Sequence, residues 1–507
     1  MINISVFLDV RRHVGSIDRR IFGGFLEHIG RAIYGGVYDP GNALSDESGF
    51  RRDVLAALQP LGMPVVRYPG GNFVSNYDWR DGIGPVAQRP KRPDFAWKTV
   101  EPNTFGVDEF MVWRRALGAA PYMVVNLGTL GAKEAAELVE YCNLPCRTFW
   151  ADQRISNGHP EPYGVKLWGL GNEMDGPWQA GHVPAEVYAQ RAFQAAQLMK
   201  GFDPGIEVVL SGSTASLTPT YMEWDRKVLD QCWDMVEFIS AHCYSNNESR
   251  DISRFLAEGV VIDALLDDYA ALIRYVRALK KSRKRVYLAV DEWNVWYREN
   301  RQDHGWWQTG CPLFEEVYDL QDALVVAQYL SSFMRHADIV KIACLAQIVN
   351  VIAPIVTRPN GLLLQSTYHA FALYSQQAKG LSLTPVIEGP AYSAGDRGQV
   401  PVLDVAACYD NERSRAVFFL INRGLDHPAT VKLNWRGPAL KRVEFVMTLS
   451  GDDPLAFNTW DRPDVIRPVP GTACIIGEDV AHVQVPALGL AVAVVELAER
   501  QQETRPT

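Results

Sequence analysis

Residues 165–211, VKLWGLGNEMDGPWQAGHVPAEVYAQRAFQAAQLMKGFDPGIEVVLS, read as one supersecondary unit. The apolar run Val165–Leu170 predicts a buried strand. Pro184–Lys200 then spaces its apolar residues three and four apart, the period of a helix packed on one face. A second apolar run, Glu207–Ser211, predicts the next strand. Strand, helix and strand in this order predict parallel neighbours in one sheet. A doubly wound sheet would carry a phosphate-binding glycine turn, and Gly169-Leu170-Gly171 starts like one. Its third glycine would fall at Met174, so that fingerprint fails.

The same alternation continues on both sides. Further strands are predicted at Ile21–Glu27, Pro64–Tyr68, Tyr122–Asn126, Val236–Cys243, Arg285–Asp291 and Ile339–Gln347, and further helices at Ile262–Lys281, Leu320–His336 and Leu364–Gln377. Eight strands, each followed by a helix or helical turn, predict an α/β fold, a (β/α)8 TIM barrel over residues 16–378. Beyond it the segments become short and alternating: Val400–Cys408, Ala416–Asn422, Thr430–Leu433, Val443–Thr448, Ala473–Ile476, Val480–Val485 and Ala487–Leu497. Helical periodicity is absent there, which predicts a β-sandwich over 379–500. Ile2–Leu8 alternates like a strand and by its own pattern suits either the barrel floor or the sandwich. Residues 501–507 read as a disordered tail.

Composition narrows the function classes. The 507 residues carry a net charge of −9 with a pI near 5.7, which argues against a nucleic-acid or anionic-membrane partner. No apolar run approaches the roughly 18 residues of a membrane span. The start lacks a basic region and its short apolar stretch is broken by Asp9, so no signal peptide is expected. Eight cysteines without a paired CxxC pattern predict buried free thiols in a reducing compartment, and hence a cytoplasmic protein. The basic run Lys280–Arg285 closes a predicted helix, where cations favour the dipole, and is read as a solvated helix end.

In a barrel of this kind the site lies at the C-terminal ends of the strands. Those ends hold Glu27-His28, Arg67 to Asn72, Asn126, Asn172-Glu173, His242-Cys243-Tyr244, Asp291-Glu292 and, at the eighth strand, Gln347 with Asn350. The rim is acidic and rich in amides. Glu173 and Glu292 stand three strands apart, where two carboxylates could serve glycoside hydrolysis, one as acid and one as nucleophile or base. Either alone reads equally well as an ordinary carboxylate beside a helix start. Trp79, Trp97, Trp178, Trp293, Trp296, Trp306 and Trp307 fall in or beside rim loops, where flat aromatic faces suit a sugar ring. About half of them are expected to be core.

With these residues in view, the chain resembles the α-L-arabinofuranosidases of glycoside hydrolase family 51. The resemblance rests on GGFLEHIGRAIYGGVYDP (23–40), VVRYPGGNFVSNYDWRDGIGP (65–85), RPDFAWKTVEPNTFGVDEF (92–110), WGLGNEMDGPWQAGH (168–182) and AVDEWNVWY (289–297). It implies an exo-acting, retaining enzyme that removes terminal non-reducing α-L-arabinofuranosyl residues from arabino-oligosaccharides, arabinan or arabinoxylan through a covalent glycosyl-enzyme. Glu173 is then the general acid/base and Glu292 the nucleophile. Glu27, Asn72, Asn172, Tyr244 and Gln347 become contacts to the sugar, and Trp97 and Trp296 walls of its pocket. Arg67 is placed to keep Glu292 ionised, Tyr244 to orient it, and His242 supports the pair. No cofactor or metal is implied. The resemblance also implies a homo-oligomer, as large as a hexamer, and assigns residues 1–15 to a jelly-roll-like sandwich. Residues 245–262 and 298–313 match no family pattern.

Three other readings compete. A related barrel glycosidase, a β-xylosidase or endoglucanase, would share the carboxylate pair. A metal-dependent sugar isomerase could use Glu173, Glu292, His242 and Asp291 as ligands, though no HxH spacing accompanies them. A carbohydrate-binding protein would have no need of two ionisable groups across one sugar.

Overall fold

The computed structural model describes residues 2–298 and 307–498; the tail expected at 501–507 and Trp306 lie outside them. Eight parallel strands close a barrel in chain order: β1 (Gly23–Phe25), β2 (Val65–Tyr68), β3 (Ala120–Val125), β4 (Leu167–Leu170), β5 (Glu207–Leu210), β6 (Phe238–Ser245), β7 (Tyr287–Val295) and β8 (Val340–Ala346). Each is followed by a helix on the outside: α1 (Arg52–Leu58), α2 (Val107–Leu117), α3 (Ala132–Asn143), α4 (Ala185–Phe202), α5 (Glu223–Cys232), α6 (Glu258–Leu279), α7 (Leu320–Arg335) and α8 (Ser366–Gln377). The strands are short apolar runs because both faces are buried, inward on the barrel core and outward on the helices. Asp319 caps α7 through its Oδ1, which accepts from the Asp322 N–H at 3.2 Å, and Asp322 answers through the Asp319 N–H at 3.0 Å.

The strand ends shift in one instructive place. β7 was expected to stop at Asp291 and instead runs to Val295. Between Ala289 and Glu292 it carries one residue more than β6 spends from Ser240 to His242, and one more than β8 spends from Ala343 to Leu345 between Val290 and Trp293. Such a bulge interrupts the alternation of side chains and re-aims them. Asp291 and Glu292, adjacent in sequence, consequently both reach Arg67 inside the barrel.

The C-terminal part forms two sheets. One has seven strands, in the order His13–Ser16, Leu381–Leu383, Leu403–Asp410, Arg415–Asn422, Gly489–Leu497, Leu440–Ser450 and Val469–Pro470. The other has five, and in it Ile2–Asp9 lies parallel to Ala429–Arg436 and antiparallel to Val386–Glu388. Period-two alternation in Arg415–Asn422 divides the cores. Ala416, Phe418 and Leu420 pack between the sheets, whereas Val417, Phe419 and Ile421 belong to the barrel's core. Phe419 stacks on Tyr374 of α8 at 4.2 Å. Helix α7 is caught between barrel and sheet and is buried almost all round, which is why its pattern lacks a polar face.

All eight cysteines are free thiols, and Cys146 and Cys474 are exposed rather than buried as expected. Trp79 and Trp293 belong to the share of rim tryptophans expected to be core. Trp79 packs on Tyr141 and Trp150 and donates to the Glu134 carbonyl at 3.2 Å, and Trp293 is fully buried against Tyr329 and Phe333. Trp293 points outward because the side chain before it, Glu292, points in.

Candidate active site

A small recess of about 50 Å³, open to solvent, sits at the C-terminal mouth of the barrel. Eight of the residues singled out from the sequence line it: Glu27, Asn72, Trp97, Glu173, Tyr244, Glu292, Trp296 and Gln347. The other three, Arg67, Asn172 and His242, lie buried beneath and bond to the lining. Its apolar wall includes Ile29, Phe314, Val351 and Ile352, which the sequence reading missed.

Arg67, on β2, organises the floor. Its Nη1 donates to Glu292 Oε1 at 2.7 Å, its Nη2 to Asn172 Oδ1 at 2.6 Å, and its Nε lies 3.2 Å from Asp291 Oδ2. The guanidinium stacks over Phe25 at 4.4 Å, and Tyr122 OH donates to Asp291 at 2.7 Å. A planar fork suits this threefold grip better than an ammonium would. Glu292 also accepts from Tyr244 OH at 2.9 Å. Gly71 closes the recess so tightly that a Cβ there would lie 3.0 Å from Glu292 Oε1 and 3.1 Å from Glu27 Oε2; a larger residue would push one of these carboxylates aside.

Glu173 follows β4 with φ at 45°, a left-handed conformation that costs a side-chain-bearing residue energy and recurs at functional sites. Its Oε1 lies 2.9 Å from His242 Nδ1, and its Oε2 accepts from Trp178 Nε1 at 2.9 Å and Gln179 Nε2 at 3.4 Å. Gln179, another residue the sequence did not single out, donates to Asn72 as well and accepts from Ser75 Oγ at 2.7 Å. His242 is shared: its Nδ1 also approaches Glu292 Oε2 at 3.5 Å and its Nε2 approaches Asp291 Oδ1 at 3.3 Å. An oxygen of Glu173 and one of Glu292 fall within 4.8 Å of each other. An approach this close is compatible with the roughly 5–5.5 Å carboxyl spacing of retaining glycosidases.

Charge in this buried cluster settles as follows. Burial opposes the His242 charge, but Glu292, Asp291 and Glu173 together raise its pKa to about 10, so the imidazolium persists. Burial pushes Glu173 up, yet the hydrogen bond and charge of His242 outweigh it and hold Glu173 below its usual range. For Glu292 burial dominates and, with Glu173 nearby, leaves the carboxyl raised despite His242 and Arg67. Protons are therefore ordered differently from the simple expectation of a protonated Glu173 and an ionised Glu292. In the free site the transferable proton is held on His242, in the bond to Glu173. The trio Glu173, His242 and Glu292 has a spacing a cation would accept, but a metal would have to displace that proton from Nδ1.

Glu27 accepts from the Phe73 N–H at 3.0 Å, Trp97 Nε1 at 3.1 Å and Gln347 Nε2 at 3.2 Å. Burial, then the charge of Glu292, raises it to about 8. The folded protein thus keeps a proton that the unfolded chain releases near its ordinary value of 4.5, so this group lowers stability as pH rises from there to about 8. Glu27→Gln removes the cost. It is expected to raise the melting temperature at pH 8 by about 3 °C or more and much less at pH 5. Equal shifts at both pH values in thermal melts would contradict this.

Comparison with known proteins gives one consistent answer. The model described as the α-L-arabinofuranosidase 1 domain matches residues 57–258, and that of the α-L-arabinofuranosidase C-terminal domain matches residues 291–488. The chain is 41% identical over 473 residues, 93% of its length and 94% of the relative's, to intracellular exo-α-(1→5)-L-arabinofuranosidase 1 of Bacillus subtilis. It is 40% identical over 487 residues, 93% of each, to an exo-α-(1→6)-L-arabinofuranosidase of Bifidobacterium longum. Among solved structures, a family 51 α-L-arabinofuranosidase from Bifidobacterium longum superposes with a TM-score of 0.94 at 34% identity, covering 98% of this chain and all of that one. Among the described residues no helix is long and apolar enough to cross a membrane.

Proposed function

Since the chain belongs to the α-L-arabinofuranosidases of glycoside hydrolase family 51, we propose that Glu292 is its nucleophile and Glu173 its general acid/base. The protein is an exo-acting α-L-arabinofuranosidase, a glycoside hydrolase that acts on arabinofuranosyl substrates. The observation that carries the assignment of roles is the asymmetry around the pair. Glu292 is gripped by Arg67 and Tyr244, which aim it at one position, while Glu173 shares its proton with His242.

In the first step Glu292 attacks the anomeric carbon as the glycosidic bond breaks, and Glu173 passes a proton to the leaving oxygen. His242 supplies the proton. Its strongest support is the charge of Glu292, and that charge is consumed as the ester forms, so attack itself loosens the proton toward Glu173. In the second step Glu173 takes a proton from water, which attacks the ester and restores Glu292. The net anomeric configuration is retained. Asn172, held by Arg67, is placed to bond the sugar 2-hydroxyl, a contact that strengthens in the transition state. Asn72, Glu27 and Gln347 bind the remaining hydroxyls, and Trp97 and Trp296 stack on the ring. Trp296 Nε1 is buried with no hydrogen-bond partner among the described residues.

Short arabino-oligosaccharides in the cytoplasm are the proposed substrates, as the Bacillus subtilis relative is named intracellular; a homo-oligomer is the proposed assembly. The test is hydrolysis of p-nitrophenyl α-L-arabinofuranoside with and without EDTA. Release that is unchanged, within about twofold, by the chelator, with the α-anomer appearing first by NMR, is expected. Chelator-dependent release would restore the metal reading, and β-arabinose as first product would overturn the roles.

A further inference from the structure

The segment after β6, unmatched to any family pattern in the sequence, is held from the sandwich side. The hairpin Ala391–Ser393/Gln399–Pro401 forms its own two-stranded sheet apart from the two large ones. Tyr392 OH donates to the Ser253 carbonyl at 3.0 Å, Arg397 Nη1 to the Arg254 carbonyl at 3.0 Å, and Arg254 Nε to Asp396 Oδ1 at 2.7 Å. Ala394 and Val400 bury themselves with Ala257.

The important contact is the ion pair of Arg397 with Glu258, the first residue of α6 and only 6% exposed. Glu258 Oε1 accepts from Ser245 Oγ at 2.9 Å, and Ser245 Oγ lies 2.6 Å from Tyr329 OH, which donates to the Cys243 carbonyl at 3.1 Å. Residues 243 and 245 flank Tyr244, the tyrosine that donates to Glu292. A buried carboxylate needs its counter-charge, and here the counter-charge comes from outside the barrel. Without Arg397, Glu258 loses its cation, and the hydrogen bond that fixes the end of β6 loses its anchor.

We propose that this hairpin is a positioning element for the reaction, acting through Arg397, Glu258 and Ser245 on Tyr244. The inference rests on the reading of Glu292 as nucleophile. Arg397→Met is expected to lower kcat on the aryl arabinofuranoside about tenfold with KM changed less than about twofold, because the interaction disturbed is one the transition state uses. A merely structural role would not distinguish backgrounds, so the measurement is repeated in Tyr244→Phe. There Arg397→Met is expected to change kcat less than about twofold, because the path it works through is already cut. If Arg397→Met does not fold, Ser245→Ala severs the same path inside β6, and the same coupling is expected. Equal losses in both backgrounds, or a lowered melting temperature with kcat untouched, would overturn the proposal. A Tyr244→Phe enzyme as active as the parent would overturn the reading of the site itself.

Discussion

Glu292→Ala abolishes turnover on every arabinofuranoside, natural or activated, with a loss of at least ~10⁴-fold in kcat. No other group can form the covalent bond, since Glu173 is turned toward His242, Trp178 and Gln179. The variant should fold, because Arg67 keeps its contacts with Asp291 and Asn172, and its melting curve checks this. Removing a carboxylate whose pKa burial has raised also relieves part of its desolvation, so the melting temperature is expected to hold or rise. Activity on an aryl arabinofuranoside within about a hundredfold of the parent would contradict the role.

Glu173→Ala separates substrates instead. On natural arabinosides, whose leaving oxygen needs a proton, kcat/KM falls by ~10²–10⁴-fold. On an aryl arabinofuranoside with an acidic leaving group, kcat/KM changes little, since it reports only the first step. The second step still lacks its base, so kcat falls and the glycosyl-enzyme accumulates as a burst. Added azide, a nucleophile that needs no base, restores kcat and yields arabinofuranosyl azide. The same loss of kcat/KM on both substrates would remove Glu173 from the acid role. Because the free site orders its protons with His242 charged and Glu173 low, this experiment also separates the two carboxylates where their pKa directions alone would assign them in reverse.

The barrel was legible because each strand is a short apolar run between turn residues, and the rim because the candidate side chains follow those runs at once. Glu27 comes two residues after Phe25, Glu173 three after Leu170, and Gln347 directly after Ala346. What could not be read depends on register and on loops folding back. Asp291 and Glu292 both face the barrel through a bulge, a mismatch with β6 and β8 that no single strand's pattern reveals. The same bulge decides that Trp293 is one of the rim tryptophans that pack in the core. Gln179 reaches Glu173 from across its own loop, where neither helical nor strand period applies. The sharing of His242 between two carboxylates rests on distances of 2.9 and 3.5 Å that only tertiary packing sets.

The seven-stranded sheet, covered on one face by the barrel and on the other by the second sheet, bears on how such a protein can change over generations. Exposed linkers are where genes can be cut and rejoined, and here the candidate junction is an apolar layer that neither half can leave bare. Ile2–Asp9, which precedes the barrel in sequence, pairs within the far sheet. Recombination that exchanged the sandwich alone would therefore also have to supply matching side chains for the barrel's flank and a new first strand. Variation has easier access at the rim loops, where single substitutions leave that shared layer intact.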